Sequence, residues 1–78
     1  MQRFVTDALV GKYIRKVRKA QKLTQDQIAA RLQVRGCDIA RGTYAKMEAG
    51  IRRITLDELK AIKDALKIST YDEMFREG

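Results

Sequence analysis

The side chains in this 78-residue chain that could do chemistry are mostly cationic. Seventeen Lys and Arg stand against ten Asp and Glu, a formal net charge of +7, with no histidine and one cysteine, Cys37. No Ser–His or Cys–His pair can be assembled, and the sequence holds no phosphate-cradling glycine loop and no acids at metal spacing. The expectation is a protein that is not an enzyme and needs no cofactor. A single thiol cannot form an internal disulfide, which fits a reducing, cytoplasmic setting. Cys37 itself reads as a small, partly buried apolar residue. What remains is fixed positive charge, whose natural partner is a polyanion.

That charge is unevenly placed. Residues 1 to 22 hold seven Lys or Arg and one Asp, whereas residues 51 to 78 hold six of each sign. A basic N-terminal part beside a balanced C-terminal part suits a nucleic-acid-binding face. It also suits an ordinary solvated helix, so charge alone does not decide. No apolar run is long enough for a membrane span and no signal-peptide core is visible. Hydrophobic residues make up 45% and proline is absent. These features favour one small helical domain over residues 1–78.

Three capping boxes mark where helices start: "TQDQ" from Thr24, "TLDE" from Thr55 and "TYDE" from Thr70. In each, the hydroxyl can accept from the backbone three residues on while a Gln or Glu there reaches back. An earlier helix begins near Thr6–Asp7 and carries Val10, Ile14 and Val17 inward. Its polar side holds Lys12, Arg15, Lys16, Lys19 and Lys22. Ile28, Ala29 and Leu32 face inward from the second helix, Tyr44 and Met47 from the third. Leu56, Leu59, Ile62 and Leu66 form the apolar stripe of the fourth, and Tyr71, Met74 and Phe75 belong to a short fifth. The apolar residues near the ends, Phe4, Val5, Met74 and Phe75, are candidates for pairing two subunits.

The ordered set "VGKYIRKVRKAQKLTQDQIAARL", "TYAKMEAG", "ITLDELKAIKDALKIST" and "YDEMF" resembles the Cro/repressor family of helix-turn-helix proteins, also called the xenobiotic response element family. The resemblance runs from about Val10 to Phe75. It implies an all-α, compact five-helix domain of the lambda-repressor-like type. Helix three would enter the major groove of double-stranded DNA, and the protein would act as a homodimeric transcriptional regulator, a repressor, on a palindromic or near-palindromic operator.

Several roles follow from the resemblance. Gln25, after the cap of helix two, matches a position that grips a DNA phosphate, where a helix N-terminus favours an anion. Arg41, Gly42 and Lys46 match positions that meet base edges, with Thr43 beside them and Ala45 alongside. Arginine and lysine can donate to guanine, and an alanine methyl can touch thymine. Arg52 and Arg53 follow Gly50 in a loop that runs along the phosphate backbone, and Thr55 at the next cap can add a bond. Arg18 and Glu48 match a partly buried ion pair between helices one and three, and so are structural.

The chain also departs from the family pattern. Lys22, Gln33 and Lys67 stand where glycine is common after helices one, two and four. Arg35 to Gly42 forms a longer connection than the family's turn, so an enlarged turn is expected between helices two and three. Extra loop residues add little entropic cost, so helix three can keep its place. Within the turn Ile39 should tuck inward and Asp38 should cap helix three or bind Arg35. Arg35 becomes a further candidate phosphate contact. No small-molecule ligand or membrane association is implied. The competing reading is a protein-interaction module on the same fold, such as an antitoxin or the DNA-binding part of a larger regulator.

Overall fold

A computed structural model describes residues 6–68. Among them are four helices and no strand: α1 Thr6–Ala20, α2 Gln25–Val34, α3 Arg41–Glu48 and α4 Leu56–Ala65. The expected fifth helix, the Thr70 capping box and the apolar candidates Phe4, Val5, Met74 and Phe75 lie outside the described residues.

Two helix starts are set by the expected chemistry. Thr24 Oγ1 accepts from Gln27 N at 3.1 Å while Gln27 Oε1 accepts from Thr24 N at 2.8 Å. Thr55 and Glu58 repeat the arrangement at 3.1 and 2.9 Å. Each box satisfies backbone donors that a helix start leaves open. Helix α3 differs, because its N-cap is Ala40 and no side chain caps it. Asp38 instead accepts from Gln33 Nε2, and Arg35 Nη1 donates to Arg31 O, so Asp38 neither caps α3 nor binds Arg35.

All four helices end alike. After α2, Gly36 N donates to Gln33 O and Cys37 N to Leu32 O. The same pair of bonds closes α1 around Lys22, α3 around Gly50 and α4 around Lys67. This ending requires one left-handed residue, and Lys22, Gly36, Gly50 and Lys67 have φ of 58°, 82°, 78° and 59°. Lys22 and Lys67 therefore hold glycine-like geometry, a strain of about 1 kcal/mol each. Gln33 does not, because α2 runs past it and closes on Gly36. The connection between α2 and α3 is Arg35 to Ala40.

The core gathers Val10 and Ile14 from α1, Ile28 and Leu32 from α2, Tyr44 and Met47 from α3, and Leu59, Ile62 and Ala65 from α4. Leu66 and Ile68 join them, as does Ile39 from the α2–α3 connection, which does tuck inward. Val17, Leu23 and Cys37 are partly buried against this cluster. Burial, followed by nearby Glu58, pushes the Cys37 thiol up, so it stays protonated. Leu56 departs from the expected stripe and is 83% exposed. Three residues advance a helix by about 300°, so a spacing of three drifts by about 60° per step. Leu56 is thereby carried off the face on which Leu59, Ile62 and Leu66 sit.

Helix α1 lies directly on the end of α3. A Cβ on buried Gly11 would stand 2.5 Å from Met47 O and 2.7 Å from Glu48 O, and one on Gly50 would stand 3.0 Å from Ala8 Cα. Gly11→Ala should therefore push the two helices apart and destabilise by about 1–3 kcal/mol. Thermal unfolding checks this, and an unchanged midpoint would show that α1 does not approach α3 so closely.

Candidate nucleic-acid interface

Eight residues make α3, so its orientation must come from what it packs against. Tyr44 and Met47 are fully buried and Glu48 is 5% exposed. That leaves Arg41, Gly42, Lys46 and Ala49 exposed, with Thr43 and Ala45 half-buried. The side chains named from the resemblance thus lie on the outer part of α3, although Ala45 and Thr43 are less accessible than the rest.

Glu48 sets this rotation. Its carboxylate accepts from Arg18 Nε at 2.7 Å and from Arg18 Nη2 at 3.1 Å. Arg18 Nη1 also donates to Leu23 O at 2.7 Å. Burial works against the Glu48 carboxylate, but hydrogen bonds led by that from Arg18 outweigh it and hold the group below its ordinary value. Tyr44 Oη is buried beside the pair with no hydrogen-bond partner among the described residues. Burial, reinforced by the negative Glu48, drives the phenol far above its ordinary range.

Gln25 carries the network outward. Its Nε2 donates to Glu48 Oε1 at 3.1 Å, and its Oε1 accepts from Arg41 Nη1 at 3.4 Å. Arg41 Nε also stands 3.7 Å from Asp26 Oδ1, both side chains largely exposed. The first residue of α3 is thereby laid against the start of α2. Asp26 was not legible as a neighbour of Arg41, since fifteen residues separate them in sequence and only packing makes them meet.

The far end of α3 leads into a differently built segment. Arg52 grips Glu58 with both amine nitrogens, at 2.9 and 3.1 Å, and donates to Arg53 O at 2.7 Å. Its guanidinium therefore braces the α3–α4 loop against the cap of α4. Glu58 is half-buried, and burial opposes its charge. The Arg52 bonds and the Thr55 backbone N–H outweigh that and lower its titration. Arg53 and Thr55 are exposed, with the Thr55 hydroxyl already accepting from Glu58 N. Arg35 is exposed but turned back onto Arg31 O. The structure thus brings Gln25 and Arg41 together, and places Arg35, Arg52, Arg53 and Thr55 in connections flanking α3.

The described residues contain no group of His, Cys, Asp and Glu able to hold a metal ion. They also contain no helix long and apolar enough to cross a membrane. A family model described as helix-turn-helix matches residues 14–72. No curated protein and no solved structure gave a match.

Glu48→Ala should leave Arg18 buried and uncompensated, at a loss of about 3–5 kcal/mol. Replacing both partners by apolar residues (Arg18→Met with Glu48→Leu) should recover most of it. Denaturant unfolding measures both, and equal losses in the single and double variants would refute the pairing. Because the folded-state carboxyls of Glu48 and Glu58 titrate below their ordinary 4.5, their stabilisation is complete above that pH. It is lost as pH falls through the lower folded values. Unfolding midpoints taken from pH 7 downward should thus fall mainly below 4.5, and Glu48→Gln should flatten the decline.

Proposed function

We propose that this chain, which belongs to the Cro/repressor-type helix-turn-helix family, is a sequence-specific binder of double-stranded DNA that regulates transcription as a repressor. The observation that carries the reading is the outer face of α3, where Arg41, Gly42 and Lys46 are exposed. The inner face is held by Tyr44, Met47 and the Arg18–Glu48 pair. A helix so held can lie in a major groove with its first turns toward the bases.

In this reading residues 1–78 act as one domain, completed by a fifth helix beyond α4, and the α2–α3 connection is an enlarged form of the family's turn. Lys46, one turn inside α3, donates to a guanine edge. Arg41 reads a second base after exchanging Gln25 and Asp26 for DNA, and Gly42 lets the backbone come close. Ala45 meets a thymine methyl. Gln25 and Thr43 hold phosphates on one side of the groove; Arg53 and Thr55 hold them on the other. Arg35 reaches the backbone from the connection once it leaves Arg31. Arg52 braces the loop through Glu58, which presents Arg53, and its guanidinium adds a phosphate contact of its own. Two copies related by a twofold axis would place their α3 helices on half-sites about one helical turn apart. Repression then follows by occluding the transcription machinery, with no bond made or broken.

Selection from random duplexes supplies the operator. On it, Arg41→Ala and Lys46→Ala should each change the preferred base at one position and cost about 1–3 kcal/mol there. Arg53→Ala should weaken all sequences alike and reduce the salt dependence by about one contact. Uniform weakening by all three variants would show that α3 does not read bases. An affinity indifferent to salt would remove DNA binding altogether.

A further inference from the structure

We propose that the exposed face of α1 is a second, sequence-indifferent contact surface for the phosphate backbone of duplex DNA, outside the groove that α3 enters. The proposal rests on the DNA-binding reading above and extends it to a part of the molecule that reading does not use.

Lys12, Arg15, Lys16 and Lys19 are exposed on α1, and Lys22 is exposed immediately after it. From Ala8 to Gln25 the chain has no Asp or Glu. None of these five cations forms an ion pair with another described residue. Lys12–Arg15, Lys12–Lys16, Arg15–Lys19 and Lys16–Lys19 all fall at spacings of three or four, where like charges repel and weaken a helix. Solubility does not require such an arrangement. The exposed charged residues of α4 and its C-terminus, Asp57, Lys60, Asp64 and Lys67, alternate in sign at the same spacings and so attract. One chain therefore contains both a balanced solvent face and a face of one sign.

The position of the stripe selects its partner. Gly11 and Arg18 mark the edge of α1 that touches α3. At about 100° per residue, Arg15 lies about 50° from that edge, with Lys19, Lys12 and Lys16 progressively farther round, to about 150°. Lys22 sits in the α1–α2 turn, three residues before Gln25. The positive surface thus begins beside the start of α2 and turns away from the outer face of α3. Val10 and Ile14 occupy the opposite side of α1 and are buried in the core, and Leu9, 47% exposed, is too small an apolar surface for insertion into a bilayer. A regular line of cations with a single large, exposed apolar neighbour, Leu9, fits a phosphate backbone, which is a regular line of anions. That backbone can belong to DNA flanking the groove on the same duplex or to a second duplex.

The test compares the full chain with its Lys12→Gln/Lys16→Gln/Lys19→Gln variant, and uses the corresponding triple Lys→Arg variant as a control that keeps the charge. Binding is measured against salt, with DNA in excess, on duplexes of about 22 and about 40 base pairs, the shorter just spanning the two half-sites of the proposed dimer. Expected is a steeper salt slope on the longer duplex, by about two to three units at about 0.9 per phosphate contact. The glutamine variant should lose that increment and keep its slope on the short duplex; the arginine variant should behave as the parent. In a second arm, protein on an immobilised short duplex is offered a labelled short duplex. Capture that disappears only in the glutamine variant assigns the contact to a second duplex, and a length-dependent slope assigns it to the flank. Equal slopes on both lengths without charge-dependent capture would overturn the inference, as would capture that survives the glutamine variant. So would an equal slope loss on both lengths. Failure of the parent to bind either duplex would instead overturn the DNA-binding reading itself.

Discussion

The buried contact between Arg18 and Glu48 joins the last turn of α1 to the last turn of α3, and the rest of the molecule is arranged around it. Removing two charges from water is expensive, and such a pair survives only when its remaining hydrogen-bonding capacity is filled. Here much of it is used: Arg18 also serves Leu23 O, and Glu48 also accepts from Gln25. One pair therefore ties α1, the turn after it, the start of α2 and the end of α3. Gly11 permits the approach, because any Cβ there would collide with the carbonyls of Met47 and Glu48.

Fixing Glu48 inside also decides what lies outside. An eight-residue helix with an uncapped start has little preference of its own. A rotation large enough to bury Lys46 would expose Met47 and break the double hydrogen bond to Arg18. The same network reaches the surface through Gln25 and ends on Arg41. There it weakens, because an exposed charge pair such as Arg41–Asp26 contributes little in water. Arg41 is thus oriented but not locked, whereas Arg52, gripped twice by Glu58, is part of the framework.

Helix endings give the small domain its sharp corners. Each of the four helices closes with the same pair of backbone bonds and a left-handed residue, although glycine fills only two of the four positions. The lysines at the other two accept local strain, and a cation there also faces the negative end of its helix. Four similar stops let short helices turn back on a common core without long loops.

Much of the fold was legible from local chemistry. The Thr24 and Thr55 boxes announce α2 and α4, and helical spacing identifies Val10, Ile14, Tyr44, Met47, Leu59 and Ile62 as core. The Arg18–Glu48 pair and the outward residues of α3 were reached only through family resemblance. Sequence pattern misplaced Leu56, whose spacing of three from its neighbours hid an accumulating rotation. It also left open how helices end at Lys22 and Lys67, and gave no sign that Arg52, given a phosphate by the resemblance, meets Glu58.

The division has a physical cause. Caps, turns and helical faces depend on groups within about four residues of one another, a range over which backbone geometry alone fixes distance. Sequence by itself therefore determined the starts of α2 and α4, most of the core and the one-signed face of α1. The pairs that orient the candidate interface join residues 16 to 30 positions apart. Which carboxylate meets which guanidinium over such separations is set by how closely helices pack, and only the tertiary structure decided it.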